Sequence, residues 1–222
     1  MASNRTLNYL IDTSGATRVD EFSWPCSVYS ESALCPNHMV HQGENCVCYG
    51  FTVSEATRAV INLKTGANIP KLSAIEVIKN CHDINSKGYT APMAFEWIVK
   101  EGIVEDSVMP IDLNAELVKG KAENGHRYQI DEWETVPNCD AAIKSYLIRQ
   151  PVVVSLNCPP SLFSCYNGGL VDPYLMQKAK NANNHSMLLV GFGFYAFPDR
   201  SIKYYWQLKT SMGDDSEERD YI

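Results

Sequence analysis

Between residues 49 and 65 the chain reads YGFTVSEATRAVINLKT, where Phe51, Val53, Ala56, Val60, Ile61 and Leu63 give broad apolar coverage ahead of Gly66. That pattern predicts a long, largely buried helix with the glycine as its stop. Residues 72–81 and 91–101 (APMAFEWIVKE) predict two further helices, so this half of the chain reads as helical. From Arg127 onward the pattern changes to β-rich runs: RYQIDEWETV (127–136), PVVVSLNC (151–158), SMLLVGFGFYAF (186–197) and KYYWQLKTS (203–211). One helix interrupts them at 140–149, after Asn138-Cys139. Residues 1–41 are irregular in pattern, and no repeat or low-complexity tract is present. The expected class is α+β, a helical half followed by a strand-rich half with a cleft between them.

Cys48 stands where the long helix begins. The first N–H groups of a helix lack intrahelical acceptors, and its dipole places partial positive charge there, which favours a thiolate over a thiol. The same donors suit an oxyanion, and the Gln42 side chain supplies a second, uncharged N–H that does not titrate near neutral pH. His185 lies far downstream, just ahead of the apolar run MLLVGFG. A thiol at a helix start with a distant histidine points to a cysteine nucleophile.

The segment Gln42-Gly43-Glu44-Asn45-Cys46-Val47-Cys48-Tyr49-Gly50-Phe51 resembles the Gln-Gly-x-Cys-Gly-Ser-Cys-Trp-Ala-Phe signature of papain-like cysteine peptidases. Ser73 to Cys81 is similar to that family's Ser-x-x-x-Leu-x-x-Cys helix. Gln150-Pro151-Val152-Val153-Val154-Ser155 and Tyr166-Asn167-Gly168-Gly169-Leu170 resemble the strand and turn that precede its catalytic histidine. Asn184-His185-Ser186-Met187-Leu188-Leu189-Val190-Gly191-Phe192-Gly193 resembles the strand that carries it. The resemblance implies a two-lobed fold: an arm and inserted loop at 1–41, a helical lobe with Cys48 at 42–126, and a β-rich lobe with His185 at 127–222. It implies Cys48 as nucleophile, His185 as its base, Gln42 in the oxyanion hole, and Thr210 at the place of the asparagine that orients the histidine. Gly88, Tyr89, Asn184 and Ser186 fall at substrate-binding positions. Neither a cofactor nor a metal is called for.

The departures bear on activity. Lys209-Thr210-Ser211-Met212-Gly213 stands for the family's Lys-Asn-Ser-Trp-Gly, so a shorter β-branched side chain would orient the imidazole and no indole would shield it. Ser86-Lys87-Gly88-Tyr89 stands for Cys-Asn-Gly-Gly, putting a bulky ring where a peptide backbone approaches. Asn45 replaces the cysteine that pairs in the family with the one matched by Cys81, leaving Cys46 as a candidate partner one residue away. Two readings stay open: a working peptidase, or an impaired homologue acting as a peptide-binding or decoy protein.

Composition narrows the partners. The 222 residues carry a net charge of -7, which argues against nonspecific nucleic-acid binding. No stretch approaches the ~20 apolar residues of a membrane span. A peptide or protein substrate is the expected partner, and the resemblance adds an inhibitory pro-segment not present in this chain. Eight cysteines suit an oxidising compartment, and the family is mostly lysosomal, vacuolar or secreted, whereas MASNRTLNYLIDTSG lacks the features of a secretory signal. Cys26 and Cys35 are candidates for a local disulfide. A zinc site drawn from Cys26, Cys35, His38, His41, Cys46 and Cys48 is the weaker alternative, because that spacing matches no standard finger.

Overall fold

The computed structural model describes residues 10–25, 47–81, 90–110, 118–158, 169–172 and 185–209. Helix α1 (Cys48–Thr65) is buried at nearly every position of its first two turns. Phe51 and Val53 supply apolar bulk there, while Gly50 lets a neighbour approach closely. That neighbour is α2 (Ala74–Cys81): a Cβ on residue 50 would lie 2.4 Å from Cγ1 of Ile78. Gly66 ends α1 at φ 68 and donates its N–H to the Asn62 carbonyl at 2.8 Å, a left-handed stop that glycine adopts without steric cost. Helix α3 (Ala91–Glu101), with Pro92 in its first turn, completes the helical core around Tyr49, Val53, Leu72, Val77, Ala94 and Ile98.

Ser73 caps α2, accepting the Glu76 N–H on its hydroxyl at 3.1 Å. The Glu76 side chain is fully buried and accepts four hydrogen bonds. They come from the Val104 N–H (3.0 Å), the Ala122 N–H (3.0 Å) and both terminal nitrogens of Arg127 (3.1 and 3.0 Å). Arg127 also donates to the carbonyls of Glu101 (2.6 Å) and Gly102 (2.9 Å). One carboxylate thus holds α2 and two distant backbone segments together.

The second half is built on β5 (His185–Ala196), the strand that pairs with every other member of a four-stranded antiparallel sheet. Strands β2 (Thr17–Ser23) and β3 (Val152–Leu156) pair with successive stretches of β5, and β6 (Ile202–Lys209) runs along its opposite edge. The short β1 (Leu10–Ile11) pairs with β4 (Leu170–Val171). Helix α4 (Asp140–Leu147) is tied to the sheet side by Trp24, whose indole N–H donates to the Leu147 carbonyl at 2.6 Å. Small residues of α1, Ala56 and Ala59, lie directly on Leu188 and Val190 of β5, and this packing joins the two halves.

Two expectations are corrected. Residues 127–136 form no strand: Tyr128 makes an isolated bridge to Ile103 and the chain then runs irregularly. Arg127 is taken by Glu76, and Asp131, Glu132 and Glu134 are poor strand formers. The N-terminal region is not wholly irregular, since β1 and β2 lie within it; the acidic pair Asp20 and Glu21 of the mostly exposed β2 hides its strand character. Cys81 is a free thiol buried in the helical core, and Cys46, its candidate partner, lies outside the described residues.

Replacing Glu76 with alanine leaves the buried Arg127 contact and two amides without their acceptor. The unfolding free energy from urea titration is expected to fall by about 3–5 kcal/mol. A loss below about 1 kcal/mol would contradict the assignment of this carboxylate as the link between those segments.

Candidate active site

Cys48 is the first residue of α1, preceded by Val47, whose side chain has no capping group. The thiol is 3 % exposed and sits at the positive end of the helix. His185 is the first residue of β5 and is 7 % exposed. The two elements meet here: the backbone N–H of Ser186 donates to Sγ of Cys48 at 3.3 Å. Thr52, one turn into α1, places its hydroxyl oxygen 3.0 Å from the Cys48 carbonyl and 3.1 Å from the Ser186 carbonyl. Strand β3 flanks this point, with Ser155 opposite Ser186 and Leu156 opposite His185.

Burial sets the electrostatics. It lowers the His185 imidazole to about 4, because the charged ring would lose its hydration, so the ring is neutral at pH 7. Cys158, two residues beyond β3, has a buried thiol pushed up to about 12, first by burial and then by the nearby Cys48 charge. Burial likewise pushes Cys81 up to about 12. The imidazole is in the unprotonated form a base needs, with its proton affinity reduced by the same burial, and a thiol at a helix start with an amide N–H on its sulfur is suited to ionise; these are the parts of nucleophilic chemistry.

Of the residues read from the sequence, the structure sets Ser186 on the Cys48 sulfur, with His185 one residue before it at the start of β5. Gln42, Gly88, Tyr89, Asn184 and Thr210 lie outside the described residues, as do Asn45, Met212 and the zinc and disulfide candidates Cys26, Cys35, His38, His41 and Cys46. Among the described residues no group of three or more histidine, cysteine or acidic side chains could hold a metal ion.

Three neighbours were not read from the sequence. Thr52 and Cys158 have no periodic or motif signal; Thr52 matters because β5 brings Ser186 beside it, and Cys158 because it lies near the Cys48 charge. Lys209, the last residue of β6, is 4 % exposed and donates to Glu55 of α1 at 3.3 Å, a second link between the halves. A cavity of about 940 Å3 lies between the middle of α1, the start of α3 and β3. Its lining reaches Ser155 and Leu156, the cross-strand neighbours of Ser186 and His185, and includes Phe95, Trp133 and the carboxylates of Glu132 and Glu134.

Comparison with known proteins gives the family and the fold. The profile of the family described as Papain family cysteine protease matches residues 29–222. Cysteine endopeptidase RepA of Oryza sativa subsp. japonica is 27% identical over 186 residues, covering 82% of this chain and 47% of the relative. Cathepsin 7 of Mus musculus is 26% identical over 187 residues, covering 82% and 55%. The chain thus spans about half the length of these curated relatives. Among solved structures, the proform of the ragweed pollen allergen Amb a 11, a cysteine protease, superposes with a TM-score of 0.68 at 20% identity, covering 93% of this chain and 59% of that one. The Carica candamarcensis protease CMS1MS2, in complex with E-64, gives 0.62 at 22% identity, covering 82% and 79%. The fold is papain-like.

Two outcomes follow from the burial of these groups. Between pH 6.5 and 4 the unfolded chain protonates His185 while the native chain does not, so stability from this group is complete above pH 6.5 and is lost as the pH falls toward 4. The loss is expected to reach roughly 3 kcal/mol, read as the difference between wild type and His185→Gln in urea titrations at stepped pH; parallel curves would refute the burial argument. Cys48 is as buried as Cys81 and Cys158, and what distinguishes it is the helix start and the Ser186 N–H on its sulfur; iodoacetamide near neutral pH is therefore expected to modify Cys48 ahead of the exposed Cys139, while Cys81 and Cys158 stay unmodified. Peptide mapping that finds Cys139 labelled first would remove Cys48 as the reactive thiol.

Proposed function

The chain belongs to the papain family of cysteine proteases, and from that premise we propose that it is a cysteine peptidase acting on peptide or protein substrates through Cys48 and His185. The observation that carries the reading is the Ser186 N–H on the Cys48 sulfur, because it sets the residue next to His185 against the thiol at the helix start. The neutral His185 ring takes the Cys48 proton as the sulfur attacks the scissile carbonyl carbon. The carbonyl electrons move to oxygen, and the oxyanion is met by the N–H groups at the start of α1 and by the Gln42 amide. Collapse breaks the C–N bond, His185 returns its proton to the leaving amine, and a thioester to Cys48 remains. Water then attacks the thioester with His185 as base, freeing the acid and restoring the thiol.

Thr210 would orient the imidazole in place of an asparagine, with Lys209 beside it anchored to Glu55. Gly88, Tyr89, Asn184 and Ser186 would line the substrate path. The cavity beside Ser155 and Leu156 offers an aromatic, acid-rimmed receptacle for a substrate side chain. The threonine also supports a second reading, an impaired homologue that binds peptides without cleaving them.

A generic peptide substrate separates the two. Wild-type turnover is expected to be low but measurable, and Thr210→Asn is expected to raise it several-fold by holding the ring and its tautomer. Cys48→Ala is expected to abolish it in both backgrounds. Turnover surviving Cys48→Ala refutes the mechanism; inactivity of every variant with retained peptide binding favours the second reading.

A further inference from the structure

Thr52 is 4 % exposed and faces two backbone carbonyls that belong to different halves of the molecule. A threonine hydroxyl returning to the carbonyl four residues back is ordinary in helices and accounts for the contact with Cys48. The contact with Ser186 has no such local origin, since the two residues are 134 apart in sequence. Ser186 turns its N–H to Sγ of Cys48 at 3.3 Å while its carbonyl meets the Thr52 hydroxyl at 3.1 Å. The single hydroxyl proton of Thr52 is shared between the two carbonyls, and through it Cys48, Thr52 and Ser186 close a small ring that passes through the sulfur.

We propose that Thr52 is a positioning residue for Cys48: its hydroxyl anchors Ser186 to the first turn of α1, and so keeps an amide donor on the sulfur. The inference rests on the reading of Cys48 as nucleophile. An N–H donor favours a thiolate over a thiol, because an anion is the stronger acceptor. Without the anchor, residue 186 is held by its pairing with β3 alone and no longer to α1, the donor contact lengthens, and the thiolate is less favoured. The packing of Ala56 and Ala59 on Leu188 and Val190 holds the halves together further along and does not depend on this hydroxyl.

The test is the pH profile of iodoacetamide labelling at Cys48, followed by peptide mapping in the full chain, for wild type, Thr52→Val and Thr52→Ser. Valine keeps the branched shape and removes the hydroxyl; serine keeps the hydroxyl. The labelling midpoint of Thr52→Val is expected to rise by about one pH unit, slowing labelling roughly tenfold below the midpoint. Thr52→Ser is expected to keep the wild-type midpoint. On a peptide substrate, the loss is expected in kcat with KM unchanged. If Thr52→Val does not fold, Thr52→Ala against Thr52→Ser gives the same comparison. A selectively labelled wild type with an unmoved Thr52→Val profile overturns the inference and leaves the nucleophile reading intact. Equal shifts in the serine and valine variants also overturn it, since packing and not the hydroxyl would then be responsible. A wild type with no preference for Cys48 overturns the nucleophile reading and the inference with it.

Discussion

The contact between α1 and the first half of β5 is the constraint on which the rest of this molecule depends. Ala56 and Ala59 are small enough for the helix to lie directly on Leu188 and Val190. That close approach brings Cys48 to the residue after His185, across a sequence separation of 138 between the bonded pair. A larger residue at either alanine would overpack this contact and strain the approach of helix to strand. The sheet serves this contact by pairing β3 and β6 along opposite edges of β5, which fixes the strand that carries the histidine.

Two ionic links sit around that contact and do different things. Glu76 and Arg127 operate inside the helical half and in the irregular segment leading out of it, where one carboxylate satisfies two amides and a guanidinium. Lys209 and Glu55 join the end of β6 to α1, close to the helix–strand contact. Burying a charge is costly unless it is paired and hydrogen-bonded, so both positions tolerate little change. Two buried ionisable groups on the strand side follow the opposite logic: His185 is kept neutral by burial, and Cys158 is kept protonated by burial and by the Cys48 charge. The thiol at the helix start is thus set apart from its surroundings by where its donors lie.

Much of the architecture can be read from periodicity alone. The apolar spacing over residues 49–65 and the glycine that follows define α1, and APMAFEWIVKE coincides with α3. The runs around residues 151–158, 186–197 and 203–211 contain β3, β5 and β6. These segments report themselves because one face of each is buried against the same core, and burial leaves a local trace in composition. The positions of Cys48 at a helix start and His185 at a strand start were legible for the same reason, helped by the motif resemblance.

Residues 127–136 show the limit of that trace. Alternation suggested a strand, but Arg127 is captured by a carboxylate 51 residues earlier and no continuous partner strand lies alongside. Strand β2 escaped notice because its side chains are mostly exposed, so pairing with β5, and not burial, makes it a strand. The roles of Thr52, Cys158, Lys209 and Glu76 likewise come from what is placed opposite them. By itself, then, the sequence determined the helices, the central strands and the two residues that face each other's elements. The tertiary structure decided the register, the buried polar partners and the protonation of the imidazole, because hydrogen-bond geometry and desolvation depend on neighbours far away along the chain.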